Sequence, residues 1–147
     1  MADSTKSSVS ISAAPAQVLD VIADFDAYPE WTGQIKQAEI LTEDEQGWPQ
    51  EVRMTLDGGV IKDTYTLAYS WDVTEDGTGV VSWQLVKSSI LKALDGAYRL
   101  SVGADGTDVT YELSVELSIP VIGMIRRKAE KTIVETALKG LKKRVES

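Results

Sequence analysis

The sequence predicts an α+β domain in which one curved antiparallel sheet of about seven strands wraps around a long C-terminal helix. Apolar and polar residues alternate with period two for about 85 residues after Gln34, which is typical of strands. An apolar stripe at helical spacing follows Pro120, and two short helical segments follow the first strand. The 147 residues contain no linker and no internal repeat, so one domain is expected over residues 1–147.

The N-terminal part of the chain is predicted to form a short strand and two short helices. Residues 6–11 alternate as a strand, and Ser12 is suited to cap a helix over residues 14–23. Pro15 falls in the first turn of that helix, where its missing N–H costs nothing. The segment 24–31, Asp-Phe-Asp-Ala-Tyr-Pro-Glu-Trp, ends this helix and is expected to form a second helical turn.

The central part of the chain is predicted to form six strands joined by tight turns. The clearest alternation places Val109, Tyr111 and Leu113 on one face of a strand. Residues 57–59, Asp-Gly-Gly, are typical of a hairpin turn. Because the turns recur at regular spacing and no crossover helix separates the strands, an antiparallel sheet is expected.

A long amphipathic helix is predicted over residues 121–145, after Pro120 ends the sheet. It should cover the apolar face of the sheet, because no other segment offers a long apolar stripe. A curved sheet closed by one helix leaves a concave apolar space, the kind of space in which small ligands bind. The predicted stripe comprises Ile122, Ile125, Ala129, Ile133, Ala137 and Leu141.

The composition excludes several kinds of chemistry. The chain has no Cys and no His, which rules out a thiolate nucleophile, a Ser-His-Asp triad and imidazole or thiolate metal ligands. Any catalysis would therefore depend on carboxylates, Tyr, Lys or Arg. The sequence has no calcium-loop, P-loop or GxGxxG spacing, so neither a metal nor a cofactor is expected.

The charge is acidic overall and unevenly distributed. Fifteen Lys and Arg stand against 23 Asp and Glu, and the net charge of −8 argues against nucleic-acid binding. Residues 1–120 carry a net −13, whereas residues 121–147 carry +5. The basic segment is expected either to rest on an acidic sheet or to form a basic lip for an anionic ligand or partner.

The sequence shows neither a signal-peptide pattern nor an apolar run of about 20 residues. A cytoplasmic protein without stable membrane insertion is therefore expected. Transient contact with a membrane stays open, and no protein partner is indicated.

Two sequence patterns connect the chain to a known family. The pattern D-x-x-x-Y-P-x-W is matched in the segment that follows the first helix, at Asp24, Tyr28, Pro29 and Trp31. A later pattern of glycine, aromatic and β-branched residues is matched at Gly96, Tyr98, Gly106, Thr107, Val109 and Tyr111. In these features the sequence resembles the START/Bet v 1-like (SRPBCC) superfamily, and within it the polyketide cyclase/dehydrase and lipid-transport branch, especially its small actinobacterial members. The resemblance implies a helix-grip fold.

Aromatic residues that are predicted to face inward indicate a partly polar cavity. Core filling explains any one of them, but a buried tyrosine hydroxyl needs a partner or a water, so several together favour a cavity for a flat or elongated apolar ligand. Trp31 is expected near the cavity mouth. The residues predicted to bind the ligand are Trp31, Ile35, Met54, Tyr65, Trp83, Tyr98, Leu113, Val115, Ile125 and Ile133.

Three functions agree with the sequence. The first is binding or transport of a hydrophobic small molecule such as a lipid, a quinone or a polyketide. The second is a cyclase or dehydratase in which Tyr65, Tyr98 or Asp63 carries protons. The third is a regulatory interaction protein with a filled cavity.

The charged side chains bear on the enzyme hypothesis. Asp63 is in phase with Tyr65, so it is expected either inside the cavity or at a turn or rim. Arg99 alternates away from the cavity and is expected to pair with Glu112 or Glu116. The resemblance implies that enzymes of this branch use cavity Arg, Tyr, Trp, His and Ser or Thr residues, and this chain has no His and no Arg predicted to face inward.

Overall fold

A seven-stranded antiparallel sheet forms most of the computed structural model, which describes residues 4–57, 62–118 and 122–147. The elements follow in the predicted order. They are β1 (Thr5–Ile11), α1 (Pro15–Ala23), a 3₁₀ turn (Phe25–Ala27), α2 (Tyr28–Trp31), β2 (Ile35–Glu43), β3 (Pro49–Asp57), β4 (Lys62–Val73), β5 (Gly79–Lys87), β6 (Leu91–Gly103), β7 (Gly106–Leu117) and α3 (Gly123–Glu146).

The strands lie in the order β1-β7-β6-β5-β4-β3-β2, so each strand from β2 to β7 pairs with its neighbour in sequence. The chain begins at one edge of the sheet and continues at the other, because β1 pairs with β7 while β2 forms the opposite edge. Every pairing is antiparallel. This is the helix-grip α+β architecture, and the predicted fold class is confirmed.

The period-two pattern decides which face of each strand is buried. In β7, Val109, Tyr111 and Leu113 are buried, whereas the intervening residues are partly exposed. The same alternation brings Tyr65, Leu67 and Tyr69 of β4 to the inner face. The inner face of the sheet therefore forms one wall of the core, and α1 and α3 form the other.

The start of α1 differs from the prediction. Ala14, not Ser12, is the N-cap residue, and the Gln17 side chain accepts a hydrogen bond from the Ala14 N–H at 3.2 Å. The Ser12 N–H instead donates to the Glu146 carboxylate at 2.8 Å. Ser12 is thus occupied by a contact with the far end of the chain, which local sequence could not reveal.

The helix α3 begins where β7 ends and runs back along the sheet. Near its C-terminus, Lys142 Nζ donates to the Ser10 carbonyl at 2.7 Å. In the described part of the chain, no helix has the length and apolar character needed to cross a membrane. The predicted Gly58-Gly59 turn, the break at Pro120 and the helix start at Val121 lie outside the described residues.

The buried stripe of α3 is rotated by about one residue from the predicted one. Ile122 is 68% exposed and Ile125 is 43% exposed, so both predicted stripe positions are wrong. Glu130 is instead fully buried, and its carboxylate accepts hydrogen bonds from the Val115 N–H at 2.7 Å and the Thr5 hydroxyl at 2.9 Å. Val115 lies in β7 beyond the last residue that pairs with β1, so its N–H bonds to Glu130 instead of to a strand. The two hydrogen bonds therefore fix the rotation of α3 against β1 and β7. The buried residues of α3 are Ala129, Glu130, Val134, Leu138 and Leu141.

A glycine allows α3 to pack closely against α2. A Cβ atom at Gly140 would overlap the Trp31 carbonyl oxygen and touch the Trp31 ring. The close approach fixes α2, and with it Tyr28, beside the inner face of the sheet.

Candidate functional site

A cavity lies between the inner face of the sheet and the helices. The cavity volume is about 70 Å³, and the empty volume between the walls, including the part continuous with solvent, is about 720 Å³. Its wall is mostly apolar. The lining residues are Tyr28, Thr32, Gln34, Ile35, Met54, Leu56, Tyr65, Leu67, Tyr69, Trp83, Leu91, Leu94, Tyr98, Tyr111, Leu113, Val115, Ile133 and Ala137.

All five tyrosines of the chain line this cavity. Four come from strands, where the alternation places them on the inner face, and Tyr28 comes from α2. Tyr98 and Tyr111 are direct cross-strand partners, and their ring centroids lie 4.6 Å apart. The chain thus gathers every phenol it has around one internal space.

Trp83 lies in the middle of this aromatic group. Its cross-strand partner in β6 is Gly96, and a Cβ at Gly96 would overlap the indole ring. The missing side chain therefore lets the indole lie flat across the neighbouring strand. The Trp83 ring centroid is 5.4 Å from that of Tyr98 and 5.5 Å from those of Tyr69 and Tyr111.

The tyrosine hydroxyls differ in whether the protein satisfies them. The Tyr28 hydroxyl donates to the Ile22 carbonyl oxygen. Across the described residues, the hydroxyls of Tyr65, Tyr69, Tyr98 and Tyr111 have no protein hydrogen-bond partner and are not sealed from the cavity. Four phenol groups therefore offer their donor and acceptor capacity to whatever occupies the cavity.

Burial raises the pKa of all five tyrosines above its ordinary value near 10. The neighbouring Tyr111 hydroxyl adds to the rise in the pKa of Tyr28, Tyr65 and Tyr98. The hydroxyls therefore stay protonated at neutral pH. They suit neutral hydrogen bonding to a ligand, and they release a proton less readily than an exposed tyrosine.

Asp63 lies at the start of β4 and does not line the cavity. Its carboxylate accepts hydrogen bonds from the hydroxyls of Ser88 and Ser89, the second at 2.8 Å. These contacts tie the β5–β6 loop to β4, so Asp63 has the rim placement and the inward alternative is wrong. Arg99 also faces solvent, with Nη2 3.8 Å from the Glu112 carboxylate.

Eight of the ten residues predicted to bind a ligand line the cavity. Trp31 and Ile125 do not. Trp31 packs against Tyr28, with ring centroids 5.0 Å apart, and covers Gly140, whereas Ile125 faces solvent at the start of α3. The eight are Ile35, Met54, Tyr65, Trp83, Tyr98, Leu113, Val115 and Ile133.

The prediction of ligand-binding residues missed part of the wall. Tyr69 alternates in phase with Tyr65 in β4, and Tyr111 alternates in phase with Leu113 in β7, so the alternation already indicated that both face inward. Thr32 and Gln34 lie in the connection between α2 and β2, where no periodicity applies. Both add polar groups to the cavity, although the Thr32 hydroxyl already accepts from the Ile35 N–H at 3.2 Å.

The described residues contain no cluster of three or more His, Cys, Asp or Glu that could hold a metal ion. The chemistry of the cavity wall is instead that of five phenols, one indole, one amide, one threonine hydroxyl, one thioether and aliphatic groups. Such a wall recognises an apolar molecule that carries a few oxygen atoms.

A comparison with family models matches residues 11–142 to the family described as polyketide cyclase/dehydrase and lipid transport. The chain belongs to this family. No protein of curated function matches it in sequence. The family match covers α1 through most of α3, so it includes every element that lines the cavity.

Solved structures of this superfamily share the fold. A START superfamily protein from Mycobacterium smegmatis is 24% identical, with 97% of each chain covered and a TM-score of 0.86. The Zhui aromatase/cyclase from Streptomyces sp. R1128 is 17% identical over 99% of this chain and 94% of its own, with a TM-score of 0.80. A STAR-related lipid transfer protein from Xanthomonas axonopodis is 22% identical over 98% and 86%, with a TM-score of 0.76.

Proposed function

We propose that this protein binds or carries a small hydrophobic molecule with several oxygen atoms, such as a quinone, a polyketide or a lipid with a polar head, in the tyrosine-lined cavity. The observation that carries the proposal is the set of four tyrosine hydroxyls without protein partners. If side chains alone filled the core, each unpaired hydroxyl would lower the free energy of unfolding by about 1–3 kcal/mol. Waters in the cavity, or a ligand with matching oxygen atoms that replaces them, remove that cost.

The size of the cavity sets a condition on binding. Pockets that hold drug-sized ligands typically measure about 300–1,000 Å³, well above the cavity volume of about 70 Å³ in this protein. The walls must therefore separate when a ligand enters. The helix α3 contributes Ile133 and Ala137 to the wall, whereas it packs mainly on β1 and β7.

A titration with 1,8-dihydroxyanthraquinone tests this proposal, because the probe is flat, apolar and carries four oxygen atoms. Its absorption should quench the fluorescence of Trp83 in a saturable way. Tyr98→Phe and Tyr111→Phe should each weaken binding about two- to tenfold, since each removes one hydrogen bond to the probe. Ser101→Ala, which removes an exposed hydroxyl from the outer face of β6, should leave the affinity unchanged.

Saturable quenching that is lost in the tyrosine variants supports the proposal. Quenching that does not saturate, or affinities that are equal in all four proteins, would contradict it. Unfolding curves for each variant separate a lost ligand contact from a lost fold.

A cyclase or dehydratase is the second candidate, and the similarity to the Streptomyces aromatase/cyclase fold favours it. Under that function Tyr65 or Tyr98 would exchange a proton with the substrate, with Asp63 outside the cavity. The raised tyrosine pKa values oppose proton release. Turnover of an offered polyketide that Tyr98→Phe abolishes while probe binding persists would support the enzyme over the carrier.

A further inference from the structure

The N-cap residue and the first turn of α3 expose an apolar surface that packing leaves uncovered. Ile122 is 68% exposed, Met124 is 71% exposed and Ile125 is 43% exposed. These three, here called the apolar tip, are half of the large hydrophobic residues that the described part of the chain exposes. Three such side chains within four positions are a local feature rather than scattered exposure.

A basic segment follows the apolar tip directly. Arg126, Arg127 and Lys128 make no ion pair with any described residue. The acid in the same turn, Glu130, is fully buried and directs its carboxylate to the Val115 N–H, so it offers no neutralising charge at the surface. A positive surface thus adjoins the tip in a protein whose net charge is −8.

The apolar tip lies at the cavity end of the sheet. Leu91, which lines the cavity, pairs with Leu117 at the end of β7, and α3 begins six residues later. The Ser118 N–H donates to the Ile90 carbonyl at 2.8 Å, which holds this end of the sheet together. The opposite end of α3 lies beside the far end of β1, where Lys142 contacts Ser10.

We propose that the apolar tip and its basic segment dock this end of the protein on an anionic lipid surface. Apolar side chains of a helix enter the boundary between head groups and acyl chains, while adjacent Arg and Lys meet lipid phosphates. The C-terminal half of α3 is also basic but exposes no large apolar residue, and the acidic sheet is repelled by the same lipids, so the end that combines both features is the favourable one. The cavity end then faces the bilayer. The inference goes beyond ligand binding and does not depend on it.

Co-sedimentation with lipid vesicles tests the proposal. The protein is mixed with vesicles of phosphatidylcholine alone and with vesicles of equimolar phosphatidylcholine and phosphatidylglycerol. Binding should require the anionic lipid and should weaken as salt screens the charges. Arg127→Glu with Lys128→Glu should reduce binding at least about tenfold, because each basic residue near such a surface contributes about fivefold.

Matched control variants locate the contact. Met124→Ser with Ile125→Ser should also reduce binding, whereas Val102→Ser should not, since Val102 is 69% exposed at the far end of β6. Lys139→Glu with Lys143→Glu changes the same charge on the C-terminal half of α3 and should have a much smaller effect.

Three results would overturn the proposal. One is equal binding to both kinds of vesicle, and a second is equal loss in tip and control variants. The third is a wild-type dimer that the tip variants abolish, because a second copy of the chain would then cover the tip. The anthraquinone titration needs no membrane. A failure of vesicle binding therefore leaves the ligand-binding proposal intact, and a failure of anthraquinone binding leaves the membrane-docking proposal intact.

Discussion

At the scale of single residues, the tyrosines link the cavity to stability. Each hydroxyl is buried and protonated in the folded protein, and four of them have no protein partner among the described residues. The alternation of β4 and β6 was enough to predict that Tyr65 and Tyr98 face inward. It could not predict that their hydroxyls stay unpaired, because that depends on which groups of other strands come within reach.

The raised tyrosine pKa values predict a loss of stability in alkali. Below pH 10 these phenols are neutral in the folded and unfolded states, so their contribution is fully present. As the pH rises above 10, the unfolded chain releases tyrosine protons that the folded protein retains, and each tyrosine lowers the free energy of unfolding by about 1.4 kcal/mol per pH unit. Urea unfolding between pH 8 and 11 measures the slope.

The double variant Tyr98→Phe with Tyr111→Phe provides the comparison. It lacks two of the five groups, so its stability should fall less steeply above pH 10 than that of the wild type. Parallel curves for the two proteins would show that these phenols ionise equally in both states, which would contradict their burial.

At the scale of elements, the length of α3 could be predicted from the sequence but its rotation could not. Its length and its place after the sheet follow from the apolar periodicity. Its rotation does not, because hydrophobic patterning assigns a glutamate to solvent, whereas Glu130 is buried to satisfy the Val115 N–H and the Thr5 hydroxyl. The shift of one residue leaves Ile125 at the surface and brings Val134 and Leu138 into the core.

The contact of α3 with α2 yields a prediction at Gly140. Replacing a glycine within a helix by alanine ordinarily stabilises the helix by about 1 kcal/mol. Gly140→Ala should instead destabilise the protein by about 1–3 kcal/mol, because the new Cβ overlaps the Trp31 carbonyl. Gly123→Ala is the control, since its Cβ would approach only the flexible Arg127 guanidinium, at 3.4 Å. Chemical denaturation that finds Gly140→Ala as stable as the control would contradict the close packing.

At the scale of the whole molecule, the end of the sheet where the cavity lies also carries the apolar tip and its basic segment. Among the described residues, α3 carries cations without an ion pair in both halves: Arg126, Arg127 and Lys128 lie at the cavity end, and Lys139 and Lys143 lie in the C-terminal half. The fold was predictable because period-two and helical patterns cover most of the chain. The irregular connections were not, and they contribute Thr32 and Gln34 to the site.

Native mass spectrometry of the freshly purified protein directly tests ligand binding in the tyrosine-lined cavity. Ligand binding should give a second mass species, heavier than the chain by a small organic molecule, in the wild type and in Ser101→Ala. That species should be reduced in Tyr98→Phe with Tyr111→Phe, because the hydroxyls that hold the ligand are gone. A single mass equal to that of the chain in repeated preparations, together with no saturable binding of the anthraquinone, would contradict it.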